Sequence, residues 1–473
     1  MIWFHYLILA GIILTSASGQ EFALDRIIVK LAPDISRSDF SSILDTNNYV
    51  VEKVLVRRLN IISIKLKNNK ISPLDAVKEF RNNPFVDKAI PDTKVSRRDM
   101  PDDMQFDQQW ALHNVGQSGG TEDADIDAPE AWDIATGGIT HLGDTIVVAI
   151  IDGGMLLTHA DLTSNLWTNW GEIPGNGIDD DNNGYIDDVH GWDAYSSDGS
   201  VPSDGHGTHV AGIVGAKGNN GVYVAGVNWD VKLMPIAGSS GTTSIVLEAY
   251  GYALDQRAIY DSTDGSSGAF VVATNSSFGV NNADCSSGNY SLWNDMYDAL
   301  GQYGILSCGA TMNNNSNVDV TGDVPTGCES EYMISVTNTT RNDAKNSGAA
   351  YGATTIDLGA PGTQILSTYT GGGTSSLSGT SMASPHVAGA VGFLHASMSS
   401  GFASFFQNNP AEGGLLIKQL ILDGTDPLPT LNGVTVSGGR LNLFNSALLS
   451  METMAADSLD PNPVINLTAD TTE

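Results

Sequence analysis

Between residues 99 and 450, short apolar runs alternate with stretches of helical pattern, and this alternation restricts the chain more than any other feature. DTIVVAIID, DVKLMPIAG, GAFVVATNSSFG, GILSCGAT and EYMISVT, which begin at residues 144, 230, 268, 304 and 331, read as strands buried on both faces. GTHVAGIVGA, SIVLEAYGYALDQ, SLWNDMYDALGQYG and SMASPHVAGAVGFLHASM, which begin at residues 207, 244, 291 and 381, read as helices. Strand and helix in alternation predict an α/β fold, a parallel sheet with helices on both faces. In such sheets chemistry gathers at the carboxyl ends of the strands, so the residues that close the apolar runs are the ones to weigh.

The charge is divided sharply. Residues 21–98 hold 15 Lys and Arg against 10 Asp and Glu, whereas residues 99–473 hold 7 against 44, so a net charge of +5 adjoins one of −37. That break marks a domain boundary. The basic segment, with RIIVKL, IISIKL, SPLDAVKEFRNN and VDKAIPD, predicts a small α+β domain over residues 20–98. The acidic unit would repel phosphates, which argues against nucleic acid or an anionic membrane as partner. Its basic neighbour is its electrostatic complement. Residues 1–19 run from the apolar FHYLILAGIIL into SASG, the layout of a secretory signal peptide and too short to span a bilayer comfortably, so export is expected. From 451 to 473 the chain is acidic and rich in Thr, Pro and Asn, which predicts a loose tail.

Three cysteines are too few for a disulfide scaffold, but export permits one bridge. Cys308 falls in an apolar run, while Cys285 and Cys328 fall in polar loops and are the better pair.

Three landmarks carry chemistry. Asp152 closes VVAIID just before two glycines, which brings a carboxylate out at a strand end. His206 in DGHGTHVAGIVG opens a helix with glycine on both sides, so backbone can approach whatever the imidazole touches. His209 follows it, but no HExxH arrangement supports zinc, and it reads as an ordinary helix residue. Ser381 lies in GTSMASPHVAG, where Pro385 requires a helix to begin close by; the first N–H groups of that helix are unpaired. A serine there can attack a carbonyl and receive the developing oxyanion on its own N–H. His386, five residues on, is about 140° around the helix and is not the base.

In the order Asp, His, Ser, the motifs IIDGG, GHGTHVAG and GTSMASPHVAG resemble the three signatures of subtilisin-like serine proteases, over roughly residues 105–448. The resemblance implies an endopeptidase in which Asp152 orients His206, His206 is the general base and acid, and Ser381 forms an acyl-enzyme. It implies that residues 20–98 are a propeptide that assists folding and inhibits until cleaved; Arg97 and Arg98 read either as a dibasic processing site or as a pair that a basic segment produces by chance. It also implies polypeptide substrates, a monomer, and an oxyanion asparagine at Asn313, with Asn314 as runner-up. Ser277, Phe278 and Gly279 resemble the edge that pairs with an extended peptide, facing a second edge near Ala310 and Thr311. Gly153 stands where Thr or Ser is usual. A catalytically dead binding module and a serine esterase are the competing readings, although GxSxG is absent around Ser381.

GNGIDDDNNGYIDD, residues 175–188, matches the first nine positions of a calcium loop. Asp179, Asp181, Asn183 and Asp187 would offer side chains, Tyr185 its carbonyl, and Gly184 the sharp turn. His190 stands at the twelfth position, so a full EF-hand is excluded. GNNGVYVAG, residues 218–226, resembles a second calcium loop of the same family more faintly.

Overall fold

A computed structural model of the chain describes residues 22–33, 35–67, 71–93 and 100–457. The signal-peptide reading, the Arg97 and Arg98 junction and the tail from residue 458 lie outside them. The chain divides into two compact units, Met1–Arg97 and Arg98–Glu473.

The first unit contains β1 (Phe22–Leu31), α1 (Arg37–Ile43), β2 (Tyr49–Val56), β3 (Ile61–Leu66), α2 (Pro73–Arg81) and β4 (Val86–Thr93). The strands form an antiparallel sheet in the order β2-β3-β1-β4. Both helices start on serine caps: Ser36 accepts from the Asp39 N–H and Ser72 from the Asp75 N–H. Ile27, Val29, Ile62 and Ile64 of the sheet and Phe40 and Phe80 of the helices make the core.

The second unit begins with α3 (Ala128–Trp132), β5 (Ile146–Asp152), β6 (Trp192–Asp193), α4 (Gly205–Gly215), β7 (Lys232–Ala237), α5 (Thr243–Ser262) and β8 (Phe270–Ser276). It continues through β9 (Val280–Asn281), α6 (Ser291–Gln302), β10 (Leu306–Ala310), α7 (Val318–Thr321), β11 (Asp323–Val324), β12 (Met333–Thr339) and β13 (Leu358–Pro361). The hairpin β14 (Ile365–Tyr369) and β15 (Gly373–Leu377) leads into α8 (Thr380–Ser397), α9 (Ser400–Asn408) and α10 (Pro410–Asp423). It closes with β16 (Asp426–Pro427), β17 (Gly439–Arg440) and α11 (Leu443–Asp457), so the segment read as loose from residue 451 starts inside a helix.

Nine strands form one sheet in the order β16-β17-β13-β12-β10-β8-β5-β7-β6. All pair in parallel except β16, the antiparallel edge. Every residue of β5 is buried, and successive side chains enter opposite cores. Ile146, Val148 and Ile150 join the core that contains residues of α4 and α8; Val147, Ala149 and Ile151 join the one that contains residues of α5 and α6. This two-sided burial explains why the strand reads as an unbroken apolar run rather than an alternating one. The neighbours β5 and β8 belong to segments that spread in opposite directions across the sheet, and their carboxyl ends hold the residues that follow.

Candidate active site

Asp152 is the last residue of β5 and is 3% exposed. One of its oxygens accepts from the Gly153 N–H at 2.7 Å. His206 stands in the first turn of α4, whose N-cap is Asp204, and the Asp204 side chain accepts from the Gly207 N–H. The His206 Nδ1 lies 3.0 and 2.9 Å from the two Asp152 oxygens. Gly207 makes this approach possible: a Cβ there would sit 2.0 Å from the Gly154 carbonyl oxygen and 3.0 Å from the Asp152 Cβ. Gly153, the departure from the family pattern, has a similar cause. A Cβ at 153 would lie 3.0 Å from the Asp204 carboxyl carbon, so the capping carboxylate takes up space a larger residue 153 needs.

Asp152, Asp204 and His206 have polar atoms within 4.8 Å of one another. Burial acts to lower the His206 pKa, but the hydrogen bond to Asp152 and the charges of Asp152 and Asp204 outweigh it, so the imidazole stays protonated above the ordinary histidine value. His209 and His386 behave oppositely. The Nε2 of His209 lies 3.0 Å from the carbonyls of Ile365 and Ser375 and ties the β14–β15 hairpin to α4, and burial pushes its pKa down to about 4. His386 is buried with Nδ1 2.8 Å from the Met382 carbonyl one turn back, and burial lowers it to about 4 as well. Neither faces Asp152.

Ser381 is the second residue of α8, so its N–H precedes the helical hydrogen-bond ladder. Pro385 lies in the second turn rather than the first, and the carbonyl four residues before it, that of Ser381, has no proline N–H to accept from. The Ser277 hydroxyl donates to that carbonyl at 3.0 Å instead. Ser277 accepts in turn from the Asn275 amide, and the Asn275 oxygen accepts from buried Ser384. The Ser381 hydroxyl donates to the Ser277 carbonyl at 3.3 Å rather than to His206; a catalytic serine–histidine bond often tightens only around substrate.

The Asn313 side-chain oxygen accepts from the N–H of Thr380, at 3.0 Å, and from its hydroxyl, at 3.2 Å. This leaves the Asn313 amide hydrogens as donors beside Ser381. Asn314 accepts instead from the Ser316 N–H in a local turn. A cavity of about 190 Å³ opens here, with Ser277, Phe278, Gly279, Ala310, Thr311 and Asn313 among its walls, together with Ser381. Two larger cavities, about 460 and 800 Å³, lie at the opposite end of the sheet around Phe270, the first residue of β8. The Phe278 ring packs toward Tyr250 and Trp293. Cys285 and Cys328 form a disulfide that joins the chain after β9 to the chain after β11, and Cys308 is buried and free.

In the acidic loop, Glu172, Asp179 and Asp181 each offer an oxygen within 4.8 Å of the others. Asp187 differs from the sequence expectation: its carboxylate accepts from the Asn176 and Gly177 amides. Asn183 and Tyr185 belong to the same turn, where the Asn183 oxygen accepts from the Tyr185 N–H. Glu172 precedes the quoted loop and had no signal in it. Its two oxygens accept from the N–H groups of Asp180, Asp181 and Asp187, so it organises the loop from outside. Buried Asp188 anchors the loop to α5 through Tyr252 and Gln256.

Asp152 and His206 are paired at the end of β5, and Ser381 is bonded to Ser277 just past the end of the adjacent β8. The chain belongs to the subtilase family, whose family model matches residues 143–434. It is 34% identical over 314 residues to an extracellular protease of Xanthomonas campestris pv. campestris, across 62% of this chain and 49% of that protein. It is 32% identical over 275 residues to thermitase of Thermoactinomyces vulgaris, across 57% of this chain and 79% of the relative. A cell wall-associated protease of Bacillus subtilis matches at 31% over 28% of its own length. Thermitase apart, the chain thus spans about half the length of these relatives or less. A solved protease structure from Pseudoalteromonas arctica shares the fold at a TM-score of 0.53 and 24% identity, covering 74% of this chain and all of that one. The epidermin leader peptide processing serine protease of Staphylococcus aureus shares it at 0.52 and 17%, covering 90% and 98%.

Proposed function

We propose that this chain is a secreted serine endopeptidase made as an inactive precursor. The observation that carries the reading is the His206 ring held by both oxygens of Asp152 at the end of β5, while Ser381 at the start of α8 is hydrogen-bonded to Ser277, just past the end of the neighbouring strand β8. In the first step the Ser381 Oγ bonds to the carbonyl carbon of the peptide as His206 takes its proton, and Asp152 stabilises the imidazolium. The Ser381 N–H and the Asn313 amide receive the oxyanion. His206 then gives its proton to the leaving amine, and the C–N bond breaks to leave an acyl ester on Ser381. Water, deprotonated by His206, hydrolyses that ester. A peptide added as an extended strand along Ser277, Phe278 and Gly279 would present its carbonyl to Ser381.

Residues 20–98 act as the propeptide in this reading, supported by their compact fold and by a net charge opposite to that of the rest of the chain. Export is supported by the apolar start of the chain and by the disulfide, which suits an oxidising compartment. Among the described residues no helix is long and apolar enough to cross a membrane. The names of the Xanthomonas and Bacillus relatives point the same way. Calcium is the structural partner of the acidic loop. Glu172, Asp179 and Asp181 supply three close carboxylates, and an oxygen-only donor set of this charge suits a hard divalent cation. A second site is supported around Asp161 and Asp103 at the loop of residues 218–226, where one Asp103 oxygen is buried without a partner.

The test is fluorophosphonate labelling together with casein hydrolysis. Labelling at Ser381 with cleavage is expected; labelling without cleavage overturns proteolysis in favour of an esterase. Neither, in the processed form, overturns catalysis and leaves a binding module.

A further inference from the structure

The wall of the 190 Å³ cavity opposite Ser381 includes Asp323, the first residue of β11. Its position follows from pairing: Asp323 and Val324 run antiparallel to Asn281 and Val280, just beyond the substrate-edge residues Ser277, Phe278 and Gly279. The disulfide between Cys285 and Cys328 holds the flanks of these two short strands together. Asp323 is 2% exposed. The Thr326 hydroxyl donates to it at 2.6 Å, and the N–H groups of Met312 and Val324 donate as well. All three donors are neutral, and among the described residues Asp323 has no ion-pair partner.

A buried carboxylate without a counter-charge is costly, and burial pushes its pKa up to about 7 against the pull of those hydrogen bonds. Its two oxygens offer about four acceptor positions, of which three are met from the protein. A cation from outside would meet the fourth and relieve the cost of the buried charge. The cavity supplies the route, since Ser381, Thr380 and Asn313 line it with Asp323. A side chain lying there belongs to the residue whose carbonyl Ser381 attacks. An acidic side chain at the base of such a pocket is how trypsin selects Lys and Arg. The net charge of −37 over residues 99–473 would also concentrate basic peptides at the surface.

We infer that Asp323 sets the specificity of this protease for substrates with Lys or Arg on the acyl side of the cleaved bond. The inference rests on the endopeptidase reading. Its test uses the full chain, expressed and allowed to process, on peptide p-nitroanilides that differ only in that residue: Lys, Arg, Phe, Leu, Gln or Glu. The wild-type protein is expected to favour Lys and Arg in kcat/KM, and a Lys or Arg chloromethyl ketone is expected to inactivate it faster than the Phe analogue. Asp323→Asn and Asp323→Ser should lower kcat/KM for Lys and Arg substrates about 100-fold while sparing Phe and Leu. A structural Asp323 would move all substrates together, and such a uniform loss would overturn the inference. So would a wild-type protein that cleaves after Phe, Leu, Gln or Glu best; proteolysis itself would then stand. If both variants fail to fold, the wild-type ranking can still overturn the inference. Absence of both labelling and cleavage in the processed wild type would instead sink the endopeptidase reading, and this inference with it.

Discussion

Two carboxylate clusters in this molecule have nearly the same geometry and opposite electrostatic solutions. In each, three ligand atoms lie within 4.8 Å, but the first includes His206 beside Asp152 and Asp204, whereas among the described residues Glu172, Asp179 and Asp181 accept from backbone amides and the Asn169 amide. The first cluster carries its own titratable cation, so its charge can be switched by a proton. The second holds no histidine, and the proposal is that a cation from outside meets its charge. What a group of acidic residues does thus depends less on its density than on whether the fold delivers a base into it.

The largest effect comes from breaking the first cluster. His206→Ala or Ser381→Ala should lower kcat on a peptide amide by about 10⁶-fold, and Asp152→Asn by about 10⁴-fold, the scales measured for subtilisin and trypsin. Steady-state kinetics on a protein still shown to be folded by circular dichroism would check this. His386→Ala, measured beside them, should leave fluorophosphonate labelling intact. Asn313→Ala should cost about 10²- to 10³-fold in kcat with little change in KM, because it removes an interaction present only when the oxyanion forms.

The three positions proposed as catalytic are also the ones legible from sequence. Asp152, His206 and Ser381 each close or open a regular element, so apolar periodicity and the neighbouring glycines and proline locate them without knowledge of the tertiary fold. Glu172 and Asp323 give no such signal, since each acts on residues brought to it by loops. Nor does the hydrogen bond from Ser277 to the Ser381 carbonyl, which spans 104 residues. The five buried strands were readable as continuous apolar runs; the β14–β15 hairpin was not, because its Thr and Ser residues break any such run even where, as at Ser367 and Thr368, they are buried. At Gly153 a Cβ would press on the Asp204 carboxyl, a contact that the motif alone does not reveal.

Breaking the second cluster should cost stability rather than chemistry. A chelator is expected to lower the melting temperature by roughly 5 °C, the equivalent of about 2.7 kcal/mol at a hundredfold excess of ion over its dissociation constant. Added Ca²⁺ should restore it, and in Asp181→Ala neither addition should matter. No chelator effect on the wild-type protein would argue that the loop's carboxylates are met by its amides alone.

The smallest effect sharpens the comparison itself. If neutral His206 is the base, as proposed, its raised pKa means that kcat/KM should fall with decreasing pH as the pH passes below that pKa. Asp204 contributes to the elevation through its charge. In Asp204→Asn the acid limb should therefore move to lower pH with the maximum rate nearly kept, measured as a kcat/KM profile. A limb that stays in place would show that Asp152 alone sets the imidazole's proton affinity.

Pro385 has one more consequence. By withholding an N–H from the carbonyl of Ser381, it passes that carbonyl to Ser277, and the start of α8 is thereby linked to the rim along which a peptide would be laid. Ser381, the proposed nucleophile, is thus one hydrogen bond from the proposed peptide-binding edge.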